Sequence, residues 1–194
     1  MNTVEAINHA IKNRRAIYTS MFSGERVNDQ LINQMLENAN WAPSHKKTEP
    51  WRFNVFCDEG LKKLALFQSE LYKTKTEKGG TFNQMTFDKL ASKPMECSHI
   101  ISIGMKRHGV VPEIEEVCAV ATAVQNMWLT ASANGLGCYW STGGVTFYEE
   151  AKPFFGLDED DKLLGFLFIG VPKTDKWPEG KRQPIADKVE WITN

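Results

Sequence analysis

The stretch from Trp41 to Trp51 concentrates residue types that can bind a flat, charged ligand. It reads WAPSHKKTEPW, so two tryptophans enclose two prolines, a histidine and two lysines. Indole rings offer flat apolar walls, proline restricts the backbone, and lysine supplies positive charge. The composition predicts a contact surface for a planar anionic ligand, although a tryptophan considered singly is also typical of a packed core.

His45 has the widest chemistry of this stretch, because an imidazole can bind a metal or transfer a proton. The histidines of the chain show no metal-ligand spacing, and its cysteines form no CxxC pair and are interpreted as reduced, packed thiols. We therefore expect no metal site, and from His45 a polar contact to a ligand rather than catalysis. The residues concerned are His9, His45, His99, His108, Cys57, Cys97, Cys118 and Cys138.

Two basic pairs, near opposite ends of the chain, are candidates for an anion site. Arg14 and Arg15 can clamp a phosphate, because guanidinium groups pair bidentately with anionic oxygens and keep their charge. The alternative is a positive helix end that complements the helix dipole. Lys181 and Arg182 can complete the same site, or they can belong to a solvated tail.

A late turn, Trp140 to Gly144, could let the backbone approach a ligand. Gly143 and Gly144 remove the steric bulk that would prevent such an approach, while a plain turn explains them equally well. The indole of Trp140 can stack on a flat ring or pack in the core. The chain contains no GxGxxG after a strand, no GxxxxGK[ST] and no GxSxG, which excludes the common nucleotide-binding fingerprints and the simplest hydrolase motif.

The overall composition points to a local site rather than to a charged surface. A net charge of -1 with 42% hydrophobic residues gives no general attraction to nucleic acid or to a membrane. No run approaches the roughly 20 apolar residues of a membrane helix, and the first residues lack the apolar core of a secretory signal. We expect a soluble, cytoplasmic protein with one domain over residues 1–194.

Helical spacing predicts the elements that position the N-terminal candidates. A first helix, capped by Thr3, ends at Arg14 and Arg15. A second helix, capped by Asn28, ends before Pro43, because proline disrupts a helix interior.

The middle of the chain predicts a strand, a helix and an excursion. Residues 51–58 alternate as a strand with Trp51, Phe53 and Val55 on one face. Residues 73–93, rich in lysine, threonine and glycine, predict a mobile excursion with a short helical piece, a candidate lid. Between them, residues 59–72 predict a third helix that buries Leu61, Leu64, Ala65, Gln68 and Leu71.

The second half of the chain predicts most of the sheet. Residues 99–105, 138–141 and 162–171 predict strands, and residues 147–155 a short helix. Pro112 opens the longest helix, whose many alanines allow close packing, here across a subunit boundary. The result is a sheet of at least three or four strands with helices around it. The tail, residues 172–194, has little core pattern of its own and is expected to need another surface.

Three segments resemble the nitroreductase family of FMN-dependent oxidoreductases in order and spacing. They are NRRAIY, ANWAPSHKKTEPWRFNVF and AVQNMWLTASANGLGCYWSTG. Within that family, APSHKKTEPW resembles the short branch of YdjA-like NAD(P)H nitroreductases. GFLFIGVPK and KRQPI resemble a sheet strand and the C-terminal segment of that branch.

The resemblance implies an α+β fold with a central, mostly antiparallel sheet wrapped by helices, built as an intertwined homodimer. The long narrow helix would form much of the interface, and FMN would lie in two clefts there. The tail, residues 172–194, would pack on the partner subunit. NAD(P)H would reduce the flavin at N5, and a small electrophile such as a nitroaromatic or a quinone would then be reduced, so no catalytic side chain is expected.

The resemblance also assigns cofactor-binding residues by position. The FMN phosphate and ribityl chain would meet Arg14, Arg15, Ala16, Lys181 and Arg182. The loop that approaches FMN, in part from the other subunit, would contribute Trp41, Pro43, Ser44 and His45. The late turn would line the flavin through backbone and hydroxyl groups of Trp140, Ser141, Thr142 and Gly143.

Two positions depart from the family pattern. Ala16 stands where a serine is common, and Tyr18 where many members have a basic residue. We hypothesise that Arg15 or Lys46 balances the charge of the reduced flavin instead. The departures keep open a flavin-binding carrier or redox sensor with little turnover. A reductive dehalogenase or a flavin-degrading enzyme is a further alternative, with its specificity in residues 73–93.

Overall fold

The computed structural model describes residues 2–193 as one antiparallel sheet between two helical layers. Met1 and Asn194, the ends of the expected domain and tail, lie outside the described residues. The strands run in the order β1-β2-β4-β3, and every neighbouring pair is antiparallel. They are Trp51–Cys57 (β1), His99–Met105 (β2), Gly137–Ser141 (β3) and Lys162–Gly170 (β4). The α-helices are Thr3–Asn13 (α1), Asp29–Asn40 (α2), Glu59–Glu77 (α3), Gln84–Ser92 (α4) and Glu113–Ala133 (α5). The expected α+β class with its antiparallel sheet is confirmed.

The central strands are buried on both faces because helices cover each side of the sheet. Leu167 and Ile169 of β4 pack with α2 and α5, whereas Phe166 and Phe168 pack with α3. Alternate residues of a strand point to opposite faces, so one strand contributes to both halves of the core. β1 lies at the edge, and the side chain of Val55 is 39% exposed although it shares a face with buried Trp51.

Helix caps agree with the sequence in one case and differ in two. Asn28 caps α2, since its side chain accepts from the Gln30 N–H at 2.8 Å. α1 is capped by Asn2 rather than Thr3, because Asn2 and Glu5 form a reciprocal capping box. Pro112, expected as the first helical residue of α5, is instead its N-cap, and the helix begins at Glu113.

α1 has an apolar stripe but no buried residue. Val4, Ile7 and Ile11 remain 68%, 55% and 52% exposed. Such a stripe is typical of a helix that packs on another surface. The sheet core of this protomer does not provide that surface.

The segment expected as an excursion is mostly helical. α3 continues to Glu77 because Tyr72 and Thr76 are buried, which extends its inner face beyond the predicted end. α4 is the predicted short helical piece, and the Tyr72 hydroxyl accepts from the Asn83 N–H at 3.1 Å before it begins. The mobility of residues 73–93 stays a prediction.

The C-terminal third is less regular. The predicted helix over residues 147–155 is instead two 3-10 segments, Gly144–Phe147 and Glu149–Phe155, the second of which contains Pro153. In the tail, the described residues form one 3-10 segment, Ile185–Lys188, and residues 178–193 are exposed. Within residues 2–193 no helix has the length and apolar character needed to cross a membrane.

Candidate functional site

The segment that follows α1 runs along the free edge of β3. Ala16 forms a parallel bridge with Cys138, and the Ile17 N–H donates to the Cys138 carbonyl at 2.9 Å. Gly137 permits this approach, because a Cβ there would lie 2.9 Å from the Cβ of Ile17. Arg14 and Ala16 therefore lie beside the beginning of β3.

Arg14, Arg15 and Arg182 lie close together at this end of β3, and we call these three residues the arginine group. The Arg14 guanidinium lies 4.3 Å from the centroid of the Trp128 ring. Burial, and then the like charges of Arg182 and Arg15, hold the pKa of Arg14 below its ordinary value. Within residues 2–193, none of these three arginines forms an ion pair with a carboxylate. Like charges without a counterion favour binding of an anion.

Arg15 connects the tail to the end of α1. Its Nε donates to the Pro178 carbonyl at 2.9 Å, and its Nη1 donates to the Lys12 carbonyl at 2.7 Å. Gly180 lies against the same guanidinium, since a Cβ there would be 2.4 Å from Nη2 of Arg15. Arg15 therefore positions the tail beside the arginine group, while Lys181 and Arg182 that follow are exposed.

A small cavity of about 180 Å³ lies at the other end of β3. We call it the β3-end pocket. It is enclosed by α3, α4, the 3-10 segment Lys93–Glu96, the late turn and β4. Its lining residues are Gln68, Thr86, Lys89, Leu90, Lys93, Pro94, Ser141, Gly143, Gly144, Phe166 and Phe168. Aromatic and aliphatic walls with a few polar groups are typical of a small-molecule site.

Lys93 brings positive charge into this pocket. Its Nζ lies 4.6 Å from the ring centroid of Phe168 and 5.0 Å from that of Tyr139. Burial lowers the pKa of Lys93, because a half-buried ammonium loses part of its hydration. No sequence pattern indicates this role, because Lys93 lies in the segment expected as an excursion.

Gln68 contributes a polar group that the protein leaves unpaired. Its side chain is 4% exposed, and its Nε2 has no hydrogen-bond partner among the described residues. The sequence analysis places Gln68 on the buried face of α3 but assigns it no function. The sequence signal that could have indicated a function is a glutamine within the apolar stripe of a helix.

The late turn forms the rim of the pocket. The Gly143 N–H donates to Ser141 Oγ at 3.4 Å, and the Gly143 carbonyl accepts from Thr146 Oγ1 at 2.8 Å. Gly144 has φ +67°, and a Cβ there would lie 3.0 Å from the Leu90 side chain. Thr142 is exposed at the turn. Ser141 and Gly143 are thus brought to the pocket.

Trp140 faces the opposite side of the sheet. Its indole N–H donates to the Leu164 carbonyl at 3.0 Å, and its ring packs against the core shared with α2 and α5. The alternation of a strand separates it from Tyr139 and Ser141. The Trp140 ring is therefore half-buried against that core, and only its backbone lies near the turn.

The loop of residues 41–47 lies elsewhere in the protomer. Pro43, Ser44 and His45 line an open cleft on the first half of α5, where Nδ1 of His45 pairs with the Glu115 carboxylate. Arg14 contacts α5 at Trp128. At 1.5 Å rise per residue, Glu115 and Trp128 are separated by about 20 Å along α5. One protomer therefore does not bring this loop to the arginine group.

The two tryptophans that bracket this loop have different environments. Trp51 is 7% exposed and its indole N–H donates to Asn40 Oδ1 at 3.0 Å, so it is a core residue. Trp41 is 79% exposed, with its indole N–H donating to Glu37 Oε1 at 3.2 Å. Between them, Lys46 and Lys47 have φ values of 52° and 54°, in the left-handed region that costs energy for these residue types.

Comparison with known proteins identifies the family. The sequence model described as the nitroreductase family matches residues 11–171, which extend from the last residues of α1 to the end of β4. The chain belongs to the nitroreductase family. The family resemblance stated from the three segments is confirmed, and with it the expectation of an oxidoreductase enzyme.

Individual relatives agree with this membership. Over 134 residues the chain is 31% identical to "Putative NAD(P)H nitroreductase YdjA" of Escherichia coli K12, a match that covers 68% of this chain and 70% of YdjA. A nitroreductase-like family protein from Bacillus cereus has 32% identity and a TM-score of 0.80, covering 99% of this chain and 98% of that one. The FMN-dependent nitroreductase NfnB of Mycobacterium smegmatis, solved with NADPH, has 16% identity, a TM-score of 0.77 and coverage of 99% and 100%.

Proposed function

We propose that this nitroreductase-family protein uses FMN to transfer hydride from NAD(P)H to a small electrophile such as a nitroaromatic or a quinone. The observation that carries the proposal is the pair of sites at the two ends of β3. One end holds Arg14 and Arg182 without a counterion, and the other holds the β3-end pocket. YdjA is named for NAD(P)H, and NfnB is FMN-dependent and binds NADPH.

The spacing of the two sites suits an extended mononucleotide. β3 runs from Gly137 to Ser141. Its residues rise about 3.3 Å each, so the strand spans about 13 Å between the arginine group and the pocket. A phosphate at the first site and a flat ring at the second would place the linking chain along Ala16 and the free edge of β3.

The residues present fit the chemistry of FMN at both ends. Uncompensated guanidinium groups pair with a phosphate, for which they provide bidentate donors. The pocket is lined by Lys93, whose ammonium is a donor, and by Gln68, whose carboxamide can donate and accept, and both suit the polar edge of a heterocycle. Phe166 and Phe168 supply the apolar walls that a flat ring needs.

Each group then has a defined task. When bound, FMN supplies the hydride chemistry at N5, which no protein side chain provides. Arg14 and Arg182 hold the phosphate, and the exposed Lys181 adds positive charge beside them. The turn of Ser141, Thr142 and Gly143 supports the ring through its backbone and hydroxyl groups. The protein binds and orients the cofactor and leaves one face open to NAD(P)H and the electrophile.

Lys93 is our proposal for the group that balances the charge of the reduced cofactor. Arg15 donates instead to backbone carbonyls of Pro178 and Lys12, and Lys46 Nζ donates to the Val110 carbonyl at 3.1 Å. Neither lies at the β3-end pocket of its own protomer. Lys93 does, and its ring neighbour Tyr139 packs on Tyr18 with centroids 4.8 Å apart. This places Lys93 close to the position where other members carry a basic residue.

We propose that the working molecule is a homodimer. The loop of Trp41 to His45 lies too far along α5 to complete the site of its own protomer. A second protomer could bring that loop to the open face of the flavin. The exposed stripe of α1, the 79% exposed Trp41 and the 86% exposed Trp191 would then be covered. The tail, which packs little on its own chain, would lie on the partner.

The remaining assignments follow from this arrangement. Residues 73–93 would form the cover over the ring end of the site, because α4 and Lys93 line the β3-end pocket. All four cysteines are free thiols, which is typical of a reducing compartment, so we place the reaction in the cytoplasm.

Purification with and without added FMN tests the proposal. We expect the protein to be yellow, with about one FMN per protomer by absorbance. Light scattering should give the mass of a dimer. Under anaerobic conditions, NADH or NADPH should bleach the flavin absorbance, and a nitroaromatic or quinone should restore it. A yellow protein that neither nucleotide bleaches would indicate a carrier or redox sensor. A protein that takes up no FMN would contradict the proposed function as a whole.

A further inference from the structure

Among residues 2–193, the carboxamide nitrogen of Gln68 is a buried donor without a hydrogen-bond partner, which a ligand could supply. Its Nε2 has no hydrogen-bond partner among the described residues, although the side chain is 4% exposed. Leaving a buried donor unpaired destabilises the folded state, and folded proteins rarely tolerate it. Packing alone does not explain a glutamine at this position, because a leucine would fill the inner face of α3 without leaving a buried donor unpaired.

The side chain of Gln68 belongs to the wall of a cavity. Gln68 lines the β3-end pocket together with Lys93, Ser141 and the glycines of the late turn. Oε1 of Gln68 lies 3.5 Å from the point that a Cβ on Gly144 would occupy. The left-handed backbone and the missing side chain of Gly144 therefore keep the space beside the carboxamide open. The cavity of about 180 Å³ is larger than the space of a single water molecule.

The lining of the pocket selects a class of ligand. Gln68 Nε2 and Lys93 Nζ are donors, so the matching ligand edge carries hydrogen-bond acceptors. Phe166, Phe168 and Leu90 form apolar walls that suit a flat ring. A carboxamide also offers an acceptor next to its donor, which is complementary to a ring edge where a carbonyl adjoins an N–H. The pyrimidinedione edge of a flavin has this pattern.

We propose that Gln68 hydrogen-bonds the pyrimidinedione edge of the flavin ring and thereby anchors the ring end of the cofactor. The proposal rests on the proposed function, because it takes FMN as the ligand. Gln68 acts on binding and orientation of the ring and transfers neither hydride nor proton. Arg182 acts at the opposite end, on the phosphate.

Riboflavin and FMN separate the two ends of the site, because riboflavin has the same ring and lacks the phosphate. The experiment is a fluorescence titration of the FMN-free full-length chain with each flavin. Gln68→Leu should lower the affinities for FMN and for riboflavin by the same factor. We expect about tenfold for each, which is the effect of one lost hydrogen bond. Arg182→Ala should lower the affinity for FMN and leave the affinity for riboflavin nearly unchanged. Gln34→Leu, the same change on the exposed face of α2, serves as the matched control and should alter neither affinity.

Thermal unfolding of the flavin-free chain distinguishes ligand binding from a structural role. Gln68→Leu should unfold at the same temperature as the wild type or above it, because the variant no longer buries an unpaired donor. Gln68→Glu keeps the shape but replaces the donor with a carboxylate, and it should weaken both flavins more than Gln68→Leu does. This second variant also reports on the proposal if the leucine variant fails to fold.

The outcomes separate the inference from the function on which it rests. A wild-type chain that binds neither flavin would contradict the proposed function itself. Wild-type binding of both flavins with unchanged affinities in Gln68→Leu, or in Gln68→Glu, would overturn the role of Gln68 alone. Parallel losses for FMN and riboflavin in both variants, with a shift in the visible flavin bands of the bound state, would establish it.

Discussion

At the scale of single residues, Lys93 illustrates how burial gives a common side chain a particular task. Most lysines of this chain are exposed, whereas Lys93 is half-buried above the rings of Tyr139 and Phe168. Burial lowers its pKa, so a negative charge nearby would stabilise the ammonium form. By reciprocity, the ammonium stabilises that negative charge.

Replacement of Lys93 should therefore make the bound flavin harder to reduce. We expect Lys93→Met to lower the reduction potential by tens of millivolts, where about 30 mV corresponds to 1.4 kcal/mol for a two-electron couple. Lys93→Arg should retain most of the wild-type value. The potential can be measured by equilibration with a reference dye under xanthine oxidase reduction.

The same measurement on Arg15→Ala and Lys46→Ala provides the comparison with the sequence hypothesis. We expect both variants to stay within about 10 mV of the wild type, well below the effect of one lost charge interaction. A large shift in either of them, with Lys93→Met unchanged, would return the charge-balancing role to Arg15 or Lys46.

At the scale of elements, a buried histidine connects β2 to the start of α2. His99 in β2 is 1% exposed, and its Nε2 lies 3.1 Å from Oδ1 of Asp29. Ser98 Oγ lies 2.9 Å from His99 Nδ1 and accepts from the Val27 N–H at 2.7 Å. The serine, histidine and aspartate types suggest a catalytic triad, but the Ser98 hydroxyl is buried and already bonded to backbone. The group serves as a structural link.

This link predicts a pH dependence of stability. Burial lowers the pKa of His99 below 6.5, against the opposing effect of Asp29 and together with the charge of Arg26. Because folding favours neutral His99, protonation favours the unfolded state. Stability should be full above pH 6.5 and should fall as the pH drops from there toward the lowered pKa of the folded state, by at most about 1.4 kcal/mol per pH unit.

Urea unfolding at pH 7.5 and 5.5 measures this effect. The wild type should lose stability between these values, whereas His99→Gln should be less stable at pH 7.5 but show a smaller loss. The carboxylates of Asp29 and Asp58 do not interfere, because their pKa values lie below 3.8 and they titrate in a more acidic range. An equal loss in both proteins would exclude His99 as the source.

At the scale of the whole molecule, the surface left exposed by one protomer is as informative as its core. α1 buries no residue, and the tail carries Ile185, Trp191 and Ile192 at 73%, 86% and 86% exposure. Large apolar side chains grouped at the surface are typical of an interaction site. Arg15 donates to carbonyls of Lys12 in α1 and Pro178 in the tail, so the proposed interface and the proposed cofactor site would form together.

A charge on the α1 stripe should therefore dissociate the dimer and weaken FMN binding in one step. We expect Ile7→Lys to raise the dimer dissociation constant at least about tenfold, since a buried unpaired charge is costly. The measurement is light scattering over a dilution series, with circular dichroism to verify the fold. Ile7→Val keeps the apolar surface and should remain dimeric. A fully dimeric Ile7→Lys variant would place the interface elsewhere.

The sequence by itself determined the order of the elements and most of their ends. The β-branched run of residues 99–105 and the helical spacing in the segment that became α5 are local patterns produced by burial, so they can be interpreted without knowing which elements pack against them. The paired residues Arg14 and Arg15 and the family segments around Trp41 and Trp140 also pointed to the nitroreductase family. The element order follows from local patterns, whereas the family follows from the resemblance of those segments.

The tertiary structure alone decided which residues meet. Gln68, Lys93 and Ser141 come from separate parts of the chain, and they converge because the strand order β1-β2-β4-β3 brings α3, α4 and β3 to one pocket. Strand alternation turned the Trp140 ring toward α2 and α5, and the pairing with Glu115 holds His45 near the beginning of α5. Periodicity reports which face of an element is buried. It carries no information on which other element covers that face, because long-range packing determines the pairing.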